Sequence, residues 1–400
     1  MVSTVYIAKN VYGADGLGRL GDGRVVFVVG AFAGEQVKAE IIEEKRHFVR
    51  ARLVEVVERS PERIGEGEMP IPGMVYANLS REGEIAAKTS QLEEALTRAF
   101  RRQFQIDKFI PSKYSNYRNK VVYHFAIERG KILLGYKKEP ENMIQDILED
   151  PLAVPEINAK LGEIRRHVFS LLTQGSSSVR KAVEGKENVT IRYSKISGVK
   201  WWLGAAPKDG IIMKESSCGK IFEVPADGFW QVNSEVGEEL AKEVARAYRQ
   251  NATTSPDILD LYCGVGVLGL STGAERVTGI ESGRRAVEFA KKNAAAQGAS
   301  GARFFAQEVG RNLHKLRIYP TTTIILDPPR GGLEKGVAKY LSKSRAKRII
   351  YVSCDPATLT RDLVQLEAGY QIETVKWFDM FPRTARFETM VTLKKREKQS

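Results

Sequence analysis

With 400 residues and 42% hydrophobic side chains, the chain can fill two or three packed cores, which excludes a disordered or fibrous class. Lysine and arginine outnumber aspartate and glutamate by 62 to 49, a net charge of +13 with a pI near 9.5, and such a field attracts polyanions, nucleic acid first among them. Three cysteines without a close pair, and four histidines at no ligand spacing to them, exclude a zinc or iron-sulfur signature and a disulfide framework and favour a reducing compartment.

The chain begins MVSTVYIAKNVYG, without the charged-then-apolar order of a leader, and its longest apolar runs, such as VVFVVGAFA, are too short for a bilayer. Cytoplasmic residence and no membrane partner are expected. Residues 2 to 59 alternate apolar and polar positions between glycine-rich turns, the pattern of a small antiparallel β-barrel. Lys45, Arg46, Arg50 and Arg52, interleaved with His47 and Phe48, make one strand and its turn a candidate groove for single-stranded RNA. The stretch SPERIGEGEMPIPG reads as a linker, and the helical spacing of Ile85, Thr89, Leu92, Leu96 and Phe100 predicts a helix that buries that stripe. From Tyr114 to about Ala226, strand-like runs surround one helix, PEINAKLGEIRRHVFSLL, which predicts a central α+β domain. Within it, Tyr117, Arg118 and Asn119 combine stacking and phosphate-binding groups and are candidate RNA contacts.

From about Asn233 the pattern becomes βαβα. A helix with Leu240, Val244 and Ala247 on one face precedes the runs DILDLY, RVTGIE, TTIILD, RIIYVS, QIETVKWF and FETMVTL. That alternation predicts a doubly wound, mostly parallel, Rossmann-like sheet with ligands at the carboxyl ends of its strands. The expected division is a barrel over 1–60, a central domain with linker over 61–230 and a cofactor domain over 231–400.

The run DLYCGVGVLGL places Gly264, Gly266 and Gly269 after a strand, a spacing that fits nicotinamide dinucleotides and S-adenosylmethionine (SAM) alike. Acids at the strand ends separate the two. Asp260, Glu281 and Asp327 would repel a pyrophosphate but favour the ammonium and sulfonium of SAM, and Glu281 can accept from both ribose hydroxyls. A nicotinamide oxidoreductase stays as a rival reading, and a silent RNA-binding or folding factor as another.

Cys354 stands before Asp-Pro at the end of the run RIIYVS, beside that crevice. Uracil C5 is a poor nucleophile until a thiolate adds at C6, after which C5 attacks a methyl sulfonium and a base removes its proton. Glu388, at the start of the last strand, is the candidate base. Cytosine C5 chemistry places its cysteine in the earlier strand-end motif, where DPPRGG has none. Amino-group methylation places an aromatic residue where Arg330 stands.

Together, DGFWQVN, DLYCGVGVLGL, ILDPPRGG, YVSCDPATLTRDL and FPRTARFETM resemble the RNA uracil-5 methyltransferase family over nearly the whole chain, and residues 2 to 59 resemble its TRAM domain, an OB-like RNA-binding barrel. The resemblance implies Cys354 as nucleophile, Glu388 as proton acceptor, and Gln231, Tyr262, Glu281 and Asp327 at SAM, and it adds weight to Arg118 and Asn119 through the element YRN. It implies RNA as partner, 23S rRNA before the tRNA T-loop, and no obligate protein partner. Relatives with a TRAM domain often carry four cluster-binding cysteines; here EGEMPIPGMVYANL and ILEDPLAV hold none, so no iron-sulfur cluster is expected. Val267 replaces an Asn found beside the cofactor in some relatives, and Arg383, Ala385 and Arg386 occupy a segment where His is frequent.

Overall fold

Alternation in the first 58 residues turns every second side chain inward. Strands β1 (Val2–Asn10), β2 (Gly16–Arg19), β3 (Val25–Val29), β4 (Gln36–Glu44) and β5 (Phe48–Glu58) close into a barrel in the order β1-β2-β3-β5-β4. Val5, Ile7, Val26, Val28, Val37 and Val49 fill it, each at most 1% exposed. Closure leaves no free sheet edge.

The computed structural model describes residues 1–66, 69–138, 143–175, 188–207, 210–250 and 256–397. Gly67 and Glu68 of the expected linker lie outside them. The chain divides into two compact units, Met1–Gln105 with Phe381–Phe387, and Ile106–Met380 with Glu388–Ser400.

In the first unit, the stretch after the barrel is packed rather than loose: Arg63 reaches Glu35 at 2.5 Å, and Ile71, Met74 and Tyr76 are buried. Helix α1 (Arg81–Phe100) starts at Ser80, whose hydroxyl accepts from the Gly83 amide at 2.9 Å. Its buried stripe differs from the expected one. Glu84, Lys88, Gln91, Leu92 and Leu96 are buried, while Ile85, Thr89 and Phe100 are half-buried. The polar members have partners inside: Lys88 donates to Glu84 at 2.5 Å and to the Phe381 carbonyl at 3.2 Å, and Gln91 donates to Asn10 O and the Tyr76 hydroxyl. Satisfied polar groups remove the penalty on which an apolar-stripe rule rests.

The second unit opens with β6 (Lys108–Ile110), followed by β7 (Lys120–Glu128), β8 (Lys131–Lys138), β9 (Met143–Asp146), α2 (Pro155–Thr173), β10 (Asn188–Ser194) and β11 (Gly198–Leu203). The last five strands form an antiparallel sheet in the order β11-β10-β7-β8-β9, with α2 packed on it. A hairpin of β12 (Ile212–Ser217) and β13 (Lys220–Pro225) leads to α3 (Ser234–Arg249), which buries Leu240, Val244 and Ala247 as expected.

The remaining elements are β14 (Asp257–Leu261), α4 (Val267–Ser271), β15 (Arg276–Glu281), α5 (Arg284–Ala296), β16 (Ala302–Ala306), α6 (Val309–Asn312), β17 (Thr322–Leu326), α7 (Val337–Ser342), β18 (Arg348–Ser353), α8 (Pro356–Leu366), β19 (Tyr370–Phe378) and β20 (Glu388–Lys395). They build an eight-stranded sheet, β16-β15-β14-β17-β18-β20-β19-β6. Neighbours from β16 to β18 are parallel, and β20 is antiparallel to both β18 and β19. Every residue of β17 and β18 is buried, because helices cover both faces of a doubly wound sheet. The chain runs outward one way from β14 and the other way from β17, so the topological switch point, where such sheets bind ligands, lies between these two strands. Among the described residues, no helix is long and apolar enough to cross a membrane.

Candidate active site

The switch point is built by the glycine loop. After β14, Tyr262, Gly264 and Gly266 all adopt left-handed backbone, with φ of 66°, 54° and 87°, which folds residues 262–266 tightly ahead of α4. The Tyr262 and Cys263 amides donate to the Ile280 carbonyl, fixing the loop to β15. Gly269 approaches Asp260 so closely that its amide donates to Oδ2 at 2.9 Å, and a Cβ there would lie 2.7 Å from the same oxygen.

Above the loop lies a cleft whose empty space, open mouth included, is about 630 Å³. Gln231, Tyr262, Gly264 and Asp327 line it, with Asp260 and a wall from Ser217, Phe229, Trp230, Ser234 and Leu240. Gly266 and Glu281 lie outside the lining. Glu281 is tied to the loop instead: Oε2 accepts from the Gly264 amide at 3.3 Å and Oε1 from the Gly283 amide at 2.7 Å.

Among the buried polar atoms of residues at this cavity, Oδ1 of Asp260 and Nε1 of Trp230 have no hydrogen-bond partner. Burial drives the Asp260 carboxyl up to about 7, aided by the charges of Asp327 and Glu281 and opposed by the Gly269 amide; burial alone lifts Asp327 to about 7. An apolar cleft holding two desolvated acids is unfavourable empty and suits a cationic ligand with hydrogen-bond donors. The set of Asp260, Asp327, Gln231, Tyr262 and Gly264 lining the cavity therefore has a chemistry that fits SAM.

The next strand ends complete the site. Cys354 follows β18, half-buried, and Asp355 caps α8 by accepting from the Ala357 and Thr358 amides at 3.0 and 3.1 Å. The β18–β20 register pairs Ser353 with Thr389, so the next residues outward, Cys354 and Glu388, stand opposite each other at the carboxyl edge of the sheet. Glu388 is 6% exposed. Burial, then the charge of Glu388, pushes the Cys354 thiol up to about 11, with Arg330 opposing and Asp327 and Asp355 adding. Glu388 is held well above the usual carboxylate range by burial and Asp327, again with Arg330 opposing. Cys354, Glu388 and Asp327 thus share one electrostatic site.

The expected RNA contacts are placed differently. Lys45, Arg46 and Arg50 are exposed on the barrel, but Lys45 pairs with Glu43 at 2.9 Å and Arg50 with Asp15 at 3.0 Å. Tyr117 and Asn119 are 5% and 4% exposed, so neither presents a surface for a base. Asn119 donates to the Gln231 carbonyl at 2.9 Å and to the Ser234 hydroxyl at 2.7 Å, and the Arg118 backbone bridges Ala153 and Asn233. The YRN element therefore holds the cavity wall. So does Arg192, which reasoning from sequence missed: it is 1% exposed, donates to the Pro225 and Gly228 carbonyls at 3.3 and 3.1 Å, and pairs with Glu215 at 3.4 Å. Trp230 was missed as well, although DGFWQVN places its ring just before the Asn233 cap. Cys218, Cys263 and Cys354 are free thiols, and among the described residues no group of acids, histidines and cysteines could hold a metal ion.

The family model described as tRNA (uracil-5-)-methyltransferase matches residues 216–396, and the TRAM domain model matches residues 3–54. A protein of Thermotoga maritima named as an uncharacterized RNA methyltransferase is 30% identical over 461 aligned residues, covering 99% of both chains. A 23S rRNA (uracil(1939)-C(5))-methyltransferase of Klebsiella pneumoniae is 27% identical over 94% of this chain and 92% of its own. Among solved structures, the Pyrococcus abyssi tRNA (uracil-54, C5)-methyltransferase in complex with S-adenosyl-L-homocysteine superposes with a TM-score of 0.72 at 20% identity, over 97% of this chain and 100% of that one, a likeness of fold. On the site and these matches together, the chain belongs to the RNA (uracil-5-)-methyltransferase family, enzymes that use SAM.

Proposed function

We propose that this enzyme methylates C5 of a uridine in RNA through a covalent adduct between Cys354 and C6 of the base. The observation that carries the reading is the strand register that sets Cys354 against Glu388 beside Asp327. SAM, when bound, supplies an electrophilic methyl group. The Cys354 thiolate forms the sulfur–C6 bond, and the C5–C6 electron pair moves toward O4 as an enolate. Once C5 carries the methyl group, Glu388 takes the C5 proton, the C5–C6 double bond returns and the sulfur leaves as thiolate. Asp327 keeps the target edge of the cleft acidic, and Arg330 opposes the upward shifts of both Cys354 and Glu388. The barrel over 1–60 and the central region over 61–230 serve RNA binding in this reading, with 231–400 as the methyl-transfer domain.

Replacing Cys354 with Ala is expected to abolish methyl transfer while leaving SAM binding in place; retained turnover would refute the nucleophile. Glu388→Gln is expected to trap a protein–RNA adduct visible on a denaturing gel, because ring re-aromatisation lacks its base. We favour 23S rRNA as the substrate, supported by the name of the K. pneumoniae relative. The archaeal tRNA enzyme, which spans the whole chain in fold, supports tRNA as the second reading. Mapping 5-methyluridine by mass in both RNAs, with and without the gene, separates the two.

A further inference from the structure

The catalytic half carries a strongly basic face that the methyl-transfer site does not use. From Lys335 to Cys354 the chain contains six lysines and arginines and no acid. Of these, Lys335, Lys339, Lys343, Arg345 and Lys347 are exposed. Helix α7 turns Val337, Ala338 and Leu341 inward, which leaves Lys339, Tyr340 and Lys343 on one outward face at i, i+1, i+4 spacing. Beyond it, buried Ser344, Ala346 and Arg348 alternate with exposed Arg345 and Lys347 into β18. Tyr340 is 39% exposed and offers a stacking surface among the cations. Behind the same turn, the Lys395 ammonium donates to the carbonyls of Ser342 and Ser344 and adds to the positive field.

The contrast with the barrel is informative. There, Lys45, Arg50 and Arg52 each hold an acid of the same unit within 3.0 Å. On this face, the side chains of Lys335, Lys339, Lys343 and Arg345 meet no acid among the described residues. Unneutralised, exposed and contiguous cations are the part of a net +13 charge that remains for a polyanion. The face begins at the loop that follows Asp327 and Arg330 and runs down α7 to the opposite edge of the sheet. We propose that it is a phosphate track for the RNA flanking the target uridine, with Tyr340 stacking a base. This rests on the reading of RNA as substrate.

The test compares K339Q/K343Q/R345Q with a variant that loses equal charge at cations already paired to acids, K160Q/K242Q/R311Q. Lys339, Lys343, Arg345 and Arg311 are exposed and Lys160 and Lys242 half-buried, and glutamine suits the helical positions. The probe is a fluorescein-labelled oligouridylate of about 30 nucleotides, titrated over a range of salt. We expect the α7 variant to bind about tenfold or more weakly, with the slope of log affinity against log salt reduced by about 2, as three lost phosphate contacts require. S-adenosylhomocysteine affinity is expected to stay unchanged, and the methylation defect to appear in KM for long RNA rather than in kcat. Unchanged affinity and slope, or an equal loss in the paired-cation variant, overturns the track. A parent protein that methylates no RNA overturns the substrate reading itself, which keeps the two failures apart.

Discussion

Asp260 and Asp327 set the cofactor cleft's response to pH. Both carboxyls are raised by burial to about 7, far above the ~3.9 of a solvated aspartate. An acid raised in the fold stabilises it most below its unfolded value, and that contribution is lost as pH rises through about 7. The unliganded protein therefore loses stability from these two groups between roughly pH 4 and 7. A cation in the cleft favours the ionised forms and reverses the trend. SAM affinity is accordingly expected to rise from pH 6 to pH 8, with protons released on binding. Calorimetry in two buffers of different ionisation enthalpy reads that release directly. A pH-independent affinity with no proton release would remove both carboxylates from the site. The thermal shift produced by SAM should likewise be larger at pH 8 than at pH 6, since binding stabilises only the folded state.

Among the elements, β14, its loop and α4 act as one device whose tolerance is set at Gly269. A Cβ there meets Asp260 Oδ2 at 2.7 Å and Val277 Cγ1 at 2.9 Å, both fixed in the sheet. Gly269→Ala is expected to cost about 2 kcal/mol in urea denaturation and to weaken S-adenosylhomocysteine binding, because α4 must move off the carboxylate that positions it. Unaltered urea midpoint and affinity would show that α4 is not held by this contact. The loop was legible in sequence because glycine spacing and strand-end acids are local signals. Cys354 and Glu388 were legible as chemistry, but their opposition depends on the β18–β20 register, which is a tertiary fact. The strands β16 and β6 were not legible: β6 has three residues, and it joins the sheet edge beside β19, far along the chain. Tyr117 and Asn119 show the limit most clearly. Their side-chain types suit RNA, yet Asn119 spends its amide donors on Gln231 and Ser234, and no local pattern reveals a partner more than a hundred residues away.

For the whole molecule, the path of the chain matters more than any single element. The first unit is discontinuous, since residues 381–387 belong with residues 1–105. That union is made by polar groups that a sequence rule would place outside. Glu84 and Lys88 are 2% and 0% exposed and paired at 2.5 Å. Glu84 also accepts from the Arg383 amide at 2.8 Å, Lys88 donates to the Phe381 carbonyl, and Tyr76 N donates to Arg383 O. A buried pair of this kind costs desolvation of both ions, so its removal and its breakage have different consequences. Lys88→Met leaves the Glu84 carboxylate buried without its cation and is expected to destabilise by about 3 kcal/mol or more. Glu84→Leu combined with Lys88→Met removes both charges and is expected to cost less than the single change, although the Arg383 amide then loses an acceptor. Urea denaturation followed by circular dichroism, at constant m-value, measures both. Equal losses in the single and double variants would mean that the pair contributes through shape alone. A double variant more stable than the single one means that the loss in Lys88→Met is the cost of a buried carboxylate stripped of its cation, and that the segment leading into Glu388 is held by its packing and backbone hydrogen bonds more than by the ion pair.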